Sequence, residues 1–217
     1  MKRTAIIFTT LFALAAMPAF AQSRSVDLTG WVTWVDPSGD DTFEGVEDVD
    51  DLNLEFDTEQ GFGIGINVFW SSRFSTEFAA SISEPDLDLR FSEPGAPAIA
   101  GSLEMIPITA VLQFHLNPDG RFDPYIGAGA AWVLFDEVQS NQLREIDIDA
   151  IDFDDDFGFV VNAGMSIDIT PTFAINLDAK YVPVESAARA VFAGVGSDPV
   201  EIEINPLILA AGLQIQF

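Results

Sequence analysis

The sequence predicts an all-β fold: an eight-stranded antiparallel transmembrane β-barrel with short periplasmic turns and long acidic extracellular loops. Three observations predict it. Apolar residues recur at every second position in eight separate stretches, which is the period of a β-strand. The links between those stretches are alternately short and long. Mean hydropathy is +0.25 although 20% of the residues are charged. Past the N-terminal segment no run approaches the ~18 uninterrupted apolar positions of a helical span. A barrel reconciles the two, because its lipid-facing residues lie at alternate positions.

Residues 1–21 read as a cleaved signal peptide. Lys2 and Arg3 precede an apolar stretch over 5–16, and Pro18 and the small-residue pattern Ala19-Phe20-Ala21 follow it. The stretch is too short for a spanning helix, which needs roughly 20 residues. Residues 22–217 then form one barrel domain. The first strand is expected over 26–35 and the second over 60–70, with Phe62, Ile64, Ile66, Val68 and Trp70 on one face. The third, over 73–83, shows Phe74, Phe78, Ala80 and Ile82. The fourth, over 103–116, shows Ile106, Ile108, Ala110, Leu112, Phe114 and Leu116. The fifth covers 123–135, the sixth 157–169 and the seventh 172–184, each alternating in the same way. The eighth, over 207–217, carries Leu207, Leu209, Ala211, Leu213, Ile215 and Phe217 on one face. A strand that ends on an aromatic looks like the closing strand of a barrel in the bacterial outer membrane. An even strand number fits antiparallel closure.

The short links are turn sequences: Ser71-Ser72, Asn117-Pro118-Asp119-Gly120 and Thr170-Pro171. The long ones cover 36–59, 84–102, 136–156 and 185–199. Positions 36–59 hold eleven acids and no Lys or Arg, and 145–156 hold seven acids. Solvated outer loops beside lipid and lipopolysaccharide explain them. Asp152, Asp154 and Asp156 have a D-x-D-x-D spacing, which raises divalent cations as possible partners of the acidic loops. An EF-hand loop, however, needs Gly where Phe157 stands and Glu where Ala163 stands. The formal charge is −26, or −28 without the two basic residues of the leader. With no Lys or Arg cluster, nucleic acid is excluded as a partner. There is no cysteine, so no disulfide or thiolate metal site.

The alternate face points into the lumen and changes character with depth. On the fourth strand it reads Met105, Pro107, Thr109, Val111, Gln113 and His115. On the seventh, running the other way, it reads Ala174, Asn176, Asp178, Lys180, Val182 and Val184. The loop half is therefore apolar and the turn half polar. An eight-stranded barrel is narrow, filled by side chains or holding one small ligand. Met105, Pro107, Val111, Val133, Phe135, Val160 and Val182 are the candidate lining of a blind apolar pocket. Glu77, Gln113, Asp178 and Lys180 are the candidate polar constriction below it, because buried charges are expected to pair. Glycines 127, 129, 158 and 164 leave room on the inner wall.

Several segments form a distinctive set: Ile106-Pro107-Ile108-Thr109 leading to Gln113-Phe114, Asp123-Pro124-Tyr125-Ile126-Gly127-Ala128-Gly129, and Ile204-Asn205-Pro206 before the strand ending at Phe217. Phe157-Gly158 through Gly164 to Ile167-Asp168, and Asn176 to Tyr181, belong to it too. Together these segments resemble the OmpW family of outer-membrane proteins. The resemblance covers about 100–217; the first half agrees in pattern, with an unusually acidic first loop, and Asp123 stands where the family often has Arg. It implies a passive channel for small hydrophobic molecules that releases them sideways through the wall into the membrane. It also implies, as the alternative, a structural or receptor barrel that meets bacteriocins or phage without transport.

Catalysis is not expected. The single histidine, His115, would need a serine and an orienting acid. Ser75, Ser166 and Asp168 fall in the same ring by position, but no motif fixes them together. No phosphate loop, metal cluster or nucleophile elbow is present, so the sequence asks for no cofactor or metal.

Overall fold

The computed structural model describes residues 25–38, 42–43, 52–91, 99–136, 138, 150–192, 195–196 and 199–217. The expected leader, 1–21, lies outside them, as does most of the acidic stretch in the first loop. The strands are β1 (Val26–Ser38), β2 (Thr42–Phe43), β3 (Leu52–Phe56), β4 (Glu59–Phe69), β5 (Phe74–Ile82), β6 (Asp86–Phe91), β7 (Ile99–Ser102) and β8 (Met105–His115). They continue as β9 (Phe122–Phe135), β10 (Ala150–Phe153), β11 (Asp156–Asp168), β12 (Phe173–Tyr181), β13 (Val184–Phe192), β14 (Val195–Gly196) and β15 (Val200–Gln216).

Eight of these make the barrel, in the order β1-β4-β5-β8-β9-β11-β12-β15, every pair antiparallel. The first and last strands close it, from Asp27↔Gln216 to Ser38↔Asn205. Closure gives every barrel strand a hydrogen-bonded neighbour on both sides, which a bilayer requires of a sheet that spans it, with a short break in the wall at the loop end of β11. The turns are tied by their own side chains. Ser71 Oγ accepts the Phe74 amide at 3.1 Å, and Thr170 Oγ1 accepts the Phe173 amide at 2.9 Å. At the second turn, Asn117 Nδ2 donates to the Phe122 carbonyl at 2.9 Å.

Alternation sorts the residues as the period of two demands. Leu28, Phe62, Trp70, Leu112, Phe159 and Leu213 are among the large apolar side chains exposed on the outer face. Such a continuous apolar exterior is a lipid-facing band. The inner face of every barrel strand is buried, and the core of the molecule is the lumen itself.

The long links carry more strand than the sequence showed. β3 pairs β6, and β2 and β7 extend this into a separate four-stranded sheet. β13 pairs both β15 and β10, raising one side of the wall. Two expected boundaries are corrected. The seventh strand ends at Tyr181, because Pro183 has no amide hydrogen to continue the ladder. The closing strand begins at Val200 and passes through Pro206, not at Leu207. Pro206 accepts the Val182 amide at 3.1 Å, so its missing N–H points towards the place where β12 has already stopped.

Candidate functional site

The turn half of the lumen is one hydrogen-bonded network. At its base Gln214 Nε2 donates to Asp27 and Ser166 Oγ donates to Gln214 Oε1 at 3.1 Å. In the same turn half, His115 Nδ1 lies 2.7 Å from Asp123 Oδ2, and Ser75 Oγ lies 2.9 Å from His115 Nε2. The acid beside His115 is thus Asp123 rather than Asp168, because His115 pairs with Tyr125 across the β8–β9 hairpin. This is the connectivity of a catalytic triad in a place where no substrate reaches. Ser75 is 0% exposed, and the His115 ring packs between Phe69 and Tyr125 at 4.9 and 5.4 Å.

All four residues of the candidate constriction belong to the network. Lys180 Nζ lies 2.6 Å from Asp178 Oδ1 and 2.9 Å from Glu77 Oε1. Asp178 Oδ2 accepts from Tyr125 Oη at 2.8 Å and from Asn162 Nδ2 at 2.7 Å. Gln113 links Asn67 and Asn162, accepting at 2.7 Å and donating at 3.1 Å. Charges buried this deeply persist because each has an opposite charge or a donor against it.

Trp31, on β1, is among the members that sequence reasoning missed, with Asp27 and Asn67. Its Nε1 donates to Asn176 Oδ1 at 2.7 Å, and Lys180 Nζ sits 5.2 Å from the ring centroid. The indole lies against Gly65 and Gly212, where any side chain would collide with it. The inner-face glycines 61, 63 and 65 of β4 were the available signal that something large lies over that wall. The room at Gly164 is likewise taken, by the Tyr125 phenol.

The loop half is apolar. Met105, Val111, Val133, Phe135, Val160 and Val182 join one buried cluster with Val184, Ile204 and Ile208. Pro107, the remaining candidate, instead lines a void of about 20 Å³ beside Trp31 and Lys180. A second void, of about 10 Å³, lies below Trp31 next to Glu77, Asn67 and His115.

The wall beside the apolar cluster has an interrupted seam. The β11–β12 ladder stops at Val161↔Tyr181, whereas the β11–β9 ladder continues to Asp156↔Val133. From Asp156 to Val160, then, β11 has a ladder on one side only. Val182, Pro183 and Val184 face that gap; Val182 donates to Pro206 and Val184 pairs Ile204, both away from it. Contact across the seam is made by Gly158, whose place for a Cβ lies 2.6 Å from the Pro183 carbonyl and 3.0 Å from Val184 Cγ1. Above it the wall is resealed. Glu185 N donates to Asp156 Oδ2 at 2.9 Å and Ser186 Oγ donates to the Asp154 carbonyl at 2.8 Å. On the outer surface the seam opens into a cleft of about 800 Å³ flanked by Phe157, Phe159, Tyr181, Asp154 and Glu185.

Within this rim Arg189 makes a two-bond contact with Asp154, at 2.7 and 2.8 Å, which holds the Asp154 carboxyl below the usual aspartate range. Asp154 is thereby committed to a cation of the chain itself. Among the described residues no three His, Asp or Glu side chains converge as metal ligands.

A family model described as the OmpW family matches residues 25–217. An uncharacterized outer-membrane protein, y4mB of Sinorhizobium fredii, is 26% identical over 145 residues, 66% of this chain and 62% of that protein. Outer membrane protein AlkL of Ectopseudomonas oleovorans is 29% identical over 113 residues, 51% of this chain and 46% of that protein. The matches therefore span less than two thirds of the length of these relatives. The crystal structure of the outer membrane protein OprG from Pseudomonas aeruginosa superposes with a TM-score of 0.74 at 16% identity, covering 89% of this chain and 96% of that one. A solid-state NMR structure of AlkL in DMPC lipid bilayers gives 0.63 at 18% identity, covering 93% and 94%. These likenesses establish the closed eight-stranded barrel.

Proposed function

We propose, from the premise that the chain belongs to the OmpW family, that its barrel is a passive channel for small hydrophobic molecules. The protein resides in the bacterial outer membrane and is not an enzyme. On this reading a ligand enters the loop half, is stopped by the polar network, and leaves sideways through the β11–β12 seam into the membrane. The supporting observation is the seam itself. It interrupts the wall at the level of Val160, Val182 and Val184, so the apolar interior meets lipid across a joint without ladder hydrogen bonds. Opening there breaks packing and leaves no backbone pair unmade, which is the low-cost place to part a barrel.

A second reading, a structural or receptor barrel, is favoured by the packing of the loop half, where Met105, Val111, Val133 and Val160 are all 0% exposed. One experiment separates the two. The chain has no cysteine, so Val160→Cys with Val182→Cys adds a single pair, on the two inner-face residues that follow Val161↔Tyr181 in register at the start of the seam. Uptake of a short alkane or arene into cells is expected to fall when the pair is oxidised and return on reduction. Uptake equal in both states removes the lateral route.

A further inference from the structure

The void beside Lys180 contains polar atoms that the network does not use. Thr33 and Thr109 are 2% and 5% exposed, and their hydroxyls have no partner among the described residues. Both line the void of about 20 Å³, together with Trp31, Pro107, Lys180 and Ile208. An ammonium carries three N–H bonds. Lys180 donates one of those to Asp178 Oδ1 and forms an ion pair with Glu77 Oε1, which leaves at least one N–H unassigned. Buried groups of this kind are costly to leave without a partner. They mark a position built for one more oxygen atom.

The size and the charge of the position select the ligand. Room for about one water-sized group excludes anything bulky at this point. Two carboxylates against one ammonium already leave a formal excess of one negative charge, so a third carboxylate would be repelled. A neutral hydroxyl or carbonyl meets no such penalty. The void also adjoins the apolar cluster through Ile208.

We infer that the Thr33, Thr109 and Lys180 void seats the single neutral oxygen of an otherwise apolar ligand, whose tail lies towards Pro107 and Ile208. This rests on the reading of the loop half as a ligand pocket, and it names the substrate class. Small alcohols, aldehydes and ketones are preferred over alkanes of the same length and over the matching carboxylates. Thr33 and Thr109 set that preference, while Lys180 orients the oxygen.

Binding of 1-octanol, 2-octanone, octane and octanoate to the full barrel in lipid nanodiscs tests it. The readout is the shift of threonine and alanine methyl resonances, with empty nanodiscs as the control. Octanol and octanone are expected to bind about tenfold more tightly than octane or octanoate, the worth of one to two hydrogen bonds. Replacing Thr33→Val and Thr109→Val together keeps the side-chain shape, and is expected to bring octanol within about twofold of octane. If the wild-type barrel binds all four alike, or the double variant keeps the preference, the inference is overturned and the apolar pocket stands. If none of the four binds, the pocket reading falls with it.

Discussion

Glu77 and Lys180 stand four places apart in a ring of eight strands, on opposite walls, and their side chains meet at 2.9 Å. An ion pair that crosses the whole diameter closes the lumen at that level. Lys180→Met would leave Glu77 and Asp178 buried with no cation between them. A loss of about 3–5 kcal/mol is expected, measured by denaturant unfolding in detergent micelles. Adding Glu77→Gln to that variant is expected to recover part of it, because one uncompensated charge is removed.

Tyr125 ties two parts of the network, donating to Asp178 at 2.8 Å and accepting from Asn176 Nδ2 at 2.9 Å. Tyr125→Phe keeps the ring over Gly164 and deletes both bonds. The expected cost is about 1–3 kcal/mol by the same unfolding measurement, with the barrel still closed by its heat-dependent gel mobility.

The lipid-facing band predicts an opposite sensitivity. Leu177 is 40% exposed and lies midway along β12 between Phe173 and Tyr181. Leu177→Arg, harmless on a water-facing sheet, is expected to cost about 2–4 kcal/mol in lipid vesicles. The same change in an outer-rim position such as Glu203 is expected to cost little.

The Asp154–Arg189 contact predicts an acid dependence at the rim. The Asp154 pKa is lowered in the folded state by the hydrogen bond from Arg189. The contact therefore contributes fully above the ordinary aspartate value and is lost as pH falls through the lower, folded one. Protection of the amides of Phe153 and Ala188, paired across β10 and β13, from hydrogen exchange is expected to hold down to about pH 4 and to fall below it. Asp154→Asn is expected to remove that step.

Much of this was legible in the sequence, for a physical reason. A barrel strand faces lipid on one side and the lumen on the other, so alternation alone sorts Ile108 from Thr109 and Leu177 from Asp178. Proximity around the ring was less legible. Asp123 rather than Asp168 reaches His115 because hairpin register, which single-strand patterns do not carry, sets who is adjacent. Trp31 was missed because its seat is made by glycines on two other strands. The β13 strand leaves little trace in the sequence because Ser186, Ala187 and Ala188 are small and lack a β-branched pattern. Pro183, which ends β12 and leaves the seam, was visible all along; its consequence depended on knowing that β11 runs past it.

The proposed channel requires that small apolar molecules occupy the lumen beside the seam. Photolabelling with a short diazirine-bearing alkane, in the native outer membrane, measures this directly when the modified residues are mapped by mass spectrometry. Labels on Val160, Val182 and Val184, residues buried behind the wall, are the expected result. Labels confined to lipid-facing residues such as Leu177 and Leu209 would contradict it.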